Sequence, residues 1–336
     1  MVQQEGCSVM QCFKKEDLSS YEYKKILCKN DEIKTLERHT SHVSDYDDCE
    51  EPFNKFNNDF KSNHDNLKRE CGKNGPKCCR DVNYYLDYAT GIFKASQLND
   101  QDKKILITRL ESELERDIRD NDMYICERKT DINSTRKRCI LQHLHDLKED
   151  EKSMLSFEKQ YKDHLSEKWE KIISYTDSKP SSIFVKIENN SMGIVENYAN
   201  FLHSSDYICG NDLDELSDDD IKISTNMNDF LSSISLDKIP LKVQKNLCFN
   251  KTYVDMLKHK ALNLQRINNF LSIGIALLGF FLILVFLHEF SPLGSLLRRF
   301  TKKKIEIDEN SNDEIIDSYE NSENGRPYIS YHSTSH

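Results

Sequence analysis

The stretch from Phe270 to Leu287 is eighteen consecutive residues without a charge and with one hydroxyl, Ser272. As a helix it spans about 27 Å, close to the thickness of a bilayer's hydrocarbon core. Core helices of soluble proteins normally keep a polar stripe, whereas this run is apolar on every side, and Ile267 and Leu264 can lengthen it. Three parts are therefore expected: residues 1–266 as a folded ectodomain, 267–290 as a single transmembrane helix in the lipid bilayer, and 291–336 as a basic juxtamembrane segment with a flexible cytosolic tail.

The cysteines respect the same boundary. All eleven, Cys7, Cys12, Cys28, Cys49, Cys71, Cys78, Cys79, Cys126, Cys139, Cys209 and Cys248, lie before the apolar run. An oxidised ectodomain and a reduced tail would produce that segregation, so each is a candidate disulfide cysteine with its partner open. An odd count leaves at least one thiol free, buried or intermolecular. The alternative is a cytosolic domain of buried free thiols.

Orientation follows from the cysteines more than from the flanks. Arg298, Arg299 and Lys302 to Lys304 follow the run, against Lys258, Lys260 and Arg266 before it, and a long N-terminal domain translocates largely regardless of charge. Together these place residues 1–266 outside the cytosol. The first twenty residues hold no apolar signal core, so the helix itself is expected to target the chain. A lipid-anchor signal is disfavoured by the nearly fifty residues, including a basic cluster, that follow the helix.

The net charge of -10 argues against nucleic acid, which calls for a concentrated basic surface. With only 10 Gly and 6 Pro in 336 residues, long stretches lack helix breakers, and an all-α, disulfide-stabilised fold is expected. Residues 14–38 carry a loose helical spacing and 53–67 a second helix. The acidic run 40–52 around Cys49 reads as a loop pinned by a disulfide. Cys71 to Cys79 concentrates turn formers and thiols into a stapled loop, which introduces a helix whose Tyr84, Tyr85, Leu86, Tyr88, Ile92 and Phe93 are core candidates.

Residues 101–121 repeat Ile105, Leu106, Leu110, Leu114 and Ile118 as an amphipathic helix, and Cys139 to Tyr175 forms the longest unbroken helical pattern. Shorter amphipathic pieces follow at 191–203 and 226–236, separated by a solvated acidic loop at 211–220. From Leu241 to Ile267 no breaker intervenes, so the last ectodomain helix is expected to run directly into the anchor. The tail from Ile305 to His336 is polar and expected to be disordered.

Chemistry finds little support. Cys126, Cys139, His143 and His145 are the best metal candidates, but their spacing lacks the close ligand pairs of zinc sites. The acidic groups at 45–48 and 212–220 lack the turn glycine and terminal glutamate of a calcium loop. There is no phosphate-cradling glycine loop and no nucleophile elbow, so no catalytic residue and no cofactor are assigned and the chain is read as a non-enzyme. Sequons at Asn133, Asn189 and Asn250 suit an exposed domain.

Several local strings carry a resemblance. Cys79-Arg80-Asp81-Val82-Asn83-Tyr84-Tyr85-Leu86, Leu247-Cys248-Phe249-Asn250-Lys251-Thr252-Tyr253 before the apolar helix, Ser291-Pro292-Leu293-Gly294-Ser295-Leu296-Leu297-Arg298 after it, and the closing Tyr328-Ile329-Ser330-Tyr331-His332 resemble, in order and location, the Plasmodium interspersed repeat (PIR) superfamily, most closely its vivax-type Vir members. Tyr85 and Leu296 stand where that family often has Trp. The resemblance implies a helical ectodomain exported to infected red-cell membranes and acting as a variant surface antigen, with host receptors and antibodies as partners in adhesion and immune evasion. A structural or trafficking role on parasite-induced internal membranes is the alternative.

Overall fold

The computed structural model describes residues 13–29, 32–71, 75–119, 126, 128–177, 182–208, 213–236, 248–290 and 299–300, with the backbone alone at 113–119 and 289–290. Cys7, Cys12, Cys209 and the expected disordered tail lie outside the described residues. Two units divide at Ala261 and Leu262.

Helix dominates the first unit. Two 3-10 turns, Lys15–Asp17 and Ser19–Tyr21, lead into α1 (Lys24–Leu27), α2 (Glu32–Thr40), α3 (Tyr46–Cys71), α4 (Gly75–Ala95) and α5 (Asp100–Arg119). Along α3, Phe53, Phe56, Phe60, Leu67 and Cys71 recur at helical spacing and are all buried, each large side chain contributing about 1.5–3 kcal/mol of apolar burial. They pack with Val82, Tyr85, Leu86, Ile92 and Phe93 of α4 and with Leu106 and Leu110 of α5.

Of the acidic run expected as a pinned loop, residues 41–45 are non-helical, but from Tyr46 onward it is the start of α3. Asp45 Oδ1 accepts from the Asp47 amide at 3.2 Å, and Asp47 and Asp48 occupy the first turn, where the helix dipole favours carboxylates. Cys49 is a buried free thiol on that helix, so no disulfide pins it.

α6 (Ile132–Ser156) begins at Asp131, whose side chain accepts from the Ser134 amide, and α7 (Glu158–Thr176) follows after one residue. The sequence pattern reads 139–175 as one helix, but Phe157 leaves the helical region at φ -139° and ψ 44°. A single helix of that length would be about 55 Å long with an apolar stripe and no partner. The break folds it back, so that Tyr161, Leu165, Trp169 and Ile172 meet Ile140, Leu144 and Leu147. α4 and α7 approach closely at Gly91, where a Cβ would stand 2.8 Å from the Lys171 carbonyl oxygen.

The all-α expectation is corrected by a four-stranded sheet. β1 (Phe184–Glu188) and β2 (Met192–Asn197) form an antiparallel hairpin, β3 (Ile221–Ser224) pairs antiparallel with β1, and β4 (Cys248–Phe249) pairs parallel with β2. Val185, Ile187, Ile194 and Ile221 face the α6–α7 core. On the other face Val195 packs with Phe230, Ile234 and Tyr253.

The segment expected as helix at 191–203 is therefore strand until Asn197, which caps α8 (Tyr198–His203) by accepting from the Asn200 amide. In the 226–236 segment only α9 (Asp229–Ser233) is α-helical. The acidic stretch expected as a solvated loop holds 3-10 turns at Leu213–Glu215 and Asp218–Asp220, with Leu213 and Leu216 buried.

α10 (Lys251–Phe290) is one helix of 40 residues, as the unbroken sequence predicts. Its first turns bury Tyr253, Met256 and Leu257 against the sheet. In the second unit every apolar side chain from Phe270 to Leu287 is exposed, except that Gly279 is half-buried. Among the described residues it is the one helix long and apolar enough to cross a membrane.

Candidate functional site

Charged side chains at positions that helical spacing assigns to the core gather in one buried network. On α7, Lys168 shares the stripe of Tyr161, Leu165 and Ile172, and on α6 Asp146 and Asp150 lie beside Ile140, Leu144 and Leu147. Asp146 accepts from Lys24 of α1 at 2.9 Å, from Lys168, and from Gln142 Nε2 at 2.8 Å. Gln142 also donates to Asp81 of α4 at 3.0 Å, and Lys24 stands 3.4 Å from the same carboxylate. Asp150 accepts from the Ser20 amide and hydroxyl and from Tyr161 OH.

Burial and charge compete at each of these groups. Burial opposes ionisation of Asp146, yet Lys168 and Lys24 hold its carboxyl below the usual range. Asp81 is pushed up by burial, despite Lys24. Burial also opposes the Lys24 charge, which Asp146 and Asp81 nevertheless hold above its ordinary value. Lys168 is lowered, first by burial, with Lys24 adding to the effect against Asp146. A buried network of this kind beside a cavity marks a candidate site on physical grounds.

The cavity measures about 260 Å³ and opens between the N-terminal turns, α2, α4 and α7. Tyr84 forms part of its wall, with the Lys24 and Lys168 ammonium groups each 5.3 Å from the ring centroid. Its hydroxyl donates to the Lys168 carbonyl at 3.1 Å. Tyr88, Ile33, Lys15, His164 and the half-buried thiol of Cys28 also line the cavity. Burial pushes that thiol up to about 12, a poor nucleophile at neutral pH.

A second charged cluster ties α4, α5 and α6 together. Asp87 binds Arg128 at 2.7 Å and Arg138 at 2.9 Å, and Arg128 also pairs with Glu111 at 2.9 Å. Its position is clipped by the Cys79–Cys126 disulfide, while Cys71–Cys78 joins the end of α3 to the start of α4. Cys248 is also disulfide-bonded. Cys28, Cys49 and Cys139 are free, so the free thiol that the odd count requires is joined by at least two more of the eleven candidates. Cys49 and Cys139 are buried in the helical packing and Cys28 lines the cavity, a distinction that spacing alone does not reveal.

Two of the four candidate metal ligands, Cys126 and His143, are engaged elsewhere. Cys126 is bonded to Cys79, and the buried His143 donates from Nε2 to the Ser204 carbonyl at 2.9 Å. Among the described residues no group of three or more His, Cys, Asp or Glu is arranged to hold a metal ion. The sequons diverge as well. Asn133 is exposed, but the Asn250 amide copies a strand residue, accepting from the Val195 amide at 3.1 Å and donating to the Val195 carbonyl at 2.8 Å. Comparison of the chain with protein-family models, with curated proteins and with solved structures finds no match.

Proposed function

We propose that this chain is a membrane-anchored binding protein that displays its disulfide-bonded first unit outside the cytosol, and that it acts as a variant surface antigen of the PIR type in host-receptor adhesion and immune evasion. The observation that carries this reading is the distribution of thiols about α10. Every cysteine precedes the apolar run, and Cys71–Cys78, Cys79–Cys126 and Cys248 are oxidised in the unit it would anchor. Disulfides persist where the compartment is oxidising. The family assignment rests on the four sequence strings already described, and the partners it brings are host receptors and antibodies.

Protease treatment of intact infected red cells tests the proposal. Peptides from the first unit are expected to disappear from the membrane fraction while the segment after α10 persists. Protection of the first unit until the cell membrane is opened would overturn surface display and favour internal membranes.

A further inference from the structure

The cavity beside the buried lysines has a chemistry the display reading does not use. Its floor holds two ammonium groups, Lys24 and Lys168, and Lys168 donates a single hydrogen bond, to Asp146, although it has three donors. The Lys15 side chain lines the same cavity without an ion pair or hydrogen bond among the described residues. Two carboxylates, Glu37 and Glu167, also line it, but Glu37 is engaged by Lys171 at 2.8 Å and Glu167 is exposed. Lys34, Ser20 and His164 add further polar edges, and the Tyr84 and Tyr88 rings with Ile33 supply a flat apolar stretch of wall.

This composition selects among ligands. An organic cation would be drawn to tyrosine faces, but the Tyr84 ring already carries two lysine ammonium groups, which would repel it. A bare inorganic anion would leave the tyrosine wall uncovered. We propose that the cavity binds a small organic anion with a flat apolar body, its acid group meeting the ammonium groups of Lys15, Lys24 and Lys168 and its body lying against Tyr84 and Tyr88. The site is independent of which membrane displays the protein.

Cys28 supplies a built-in reporter, because it lines the cavity while the other free thiols among the described residues, Cys49 and Cys139, are buried. The full-length protein in detergent is alkylated with N-ethylmaleimide at mildly alkaline pH, and the Cys28 peptide is quantified by mass spectrometry against those of Cys49 and Cys139. 1-Naphthyl phosphate is expected to slow Cys28 alkylation about tenfold, with 1-naphthol and inorganic phosphate each having little effect. Equilibrium dialysis of 1-naphthyl phosphate gives a second readout that needs no thiol. There Lys15→Glu, at a side chain with no partner to lose, is expected to weaken binding about tenfold, the size of one charge-assisted contact. Equal protection by 1-naphthol, equal protection by phosphate, or dialysis binding unchanged by Lys15→Glu would each overturn the proposal.

Discussion

Replacing Asp146 by Leu removes the acceptor shared by Lys24, Lys168 and Gln142. Lys24 keeps Asp81 at 3.4 Å and Gln142 keeps the same carboxylate, so the group left without an anion is Lys168. A buried ammonium without a partner costs about 3–5 kcal/mol when its carboxylate is removed. Deprotonation caps that cost. Neutralising a lysine of ordinary pKa at pH 7 costs about 4.6 kcal/mol, at 1.36 kcal/mol per unit.

Trp169 makes the loss readable in the full-length protein. It is the chain's one tryptophan, fully buried, with Lys168 Nζ 4.5 Å from its ring, and its fluorescence reports the first unit without contribution from α10. With a urea slope of about 3 kcal/mol/M, the unfolding midpoint of Asp146→Leu should fall by about 1–1.5 M. The sign of the pH dependence is also determined. Lys168 is neutral in the folded variant and protonated when unfolded, so the deficit should shrink by about 1.4 kcal/mol per unit as pH rises above 7. Adding Lys168→Met should restore most of the midpoint, because the orphaned charge is gone. A midpoint within about 0.3 M of the parent, roughly 1 kcal/mol, or a double variant no more stable than the single one, would refute the reasoning.

Acidification should weaken the first unit through its histidines. Burial lowers His143 and His164 to about 3 and His145 to about 4, so the unfolded chain takes up protons first and stability falls from pH 6.5 downward, levelling near those values. Each contributes about 2 kcal/mol by pH 5, and His143→Leu should flatten the fall in a fluorescence titration by one proton. Asp81 and Glu149, raised by burial, act in the opposite sense nearer the carboxylate range. Gly193→Ala should cost about 1–3 kcal/mol in urea unfolding, because the new Cβ would stand 2.5 Å from Phe249 Cδ1 and collide with the Tyr253 ring. Paired Cys→Ala replacement should cost about 4 kcal/mol at Cys79–Cys126 and about 2.5 kcal/mol at Cys71–Cys78, since sequence separations of 47 and 7 close loops of different entropy. Thermal unfolding of the two variants checks the order.

What the sequence discloses depends on range. α4, α5 and α10 follow from local periodicity and from the absence of breakers, and the thiols of the 71–79 stretch announce the staple there. The sheet was harder to read because β1 carries Lys186 and Glu188 in alternation with Val185 and Ile187, and both charges are buried by partners far along the chain. Glu188 accepts from Tyr253 OH at 2.8 Å, and Lys186 donates to the Ser233 carbonyl at 2.9 Å. The Asn189-Asn190 turn between two alternating runs was the available hairpin signal.

The candidate site is less legible still. Lys24, Asp81, Asp146 and Lys168 come from four helices, and each alone reads as an ordinary solvated charge. Their common signal is position: Lys168 falls on the apolar stripe of its helix, where a charge requires a partner. Which partner it finds is a property of packing, not of spacing.

The Asn250 amide carries a consequence for the order of events in the cell. A sugar transferred to its Nδ2 would replace one of that nitrogen's two hydrogens beside the bond to the Val195 carbonyl and would set a bulky chain between β2 and the first turn of α10. Modification at this sequon and seating of the helix root on the sheet thus compete for the space around one nitrogen. Whichever reaches it first, transferase or strand, decides whether the newly made chain can close.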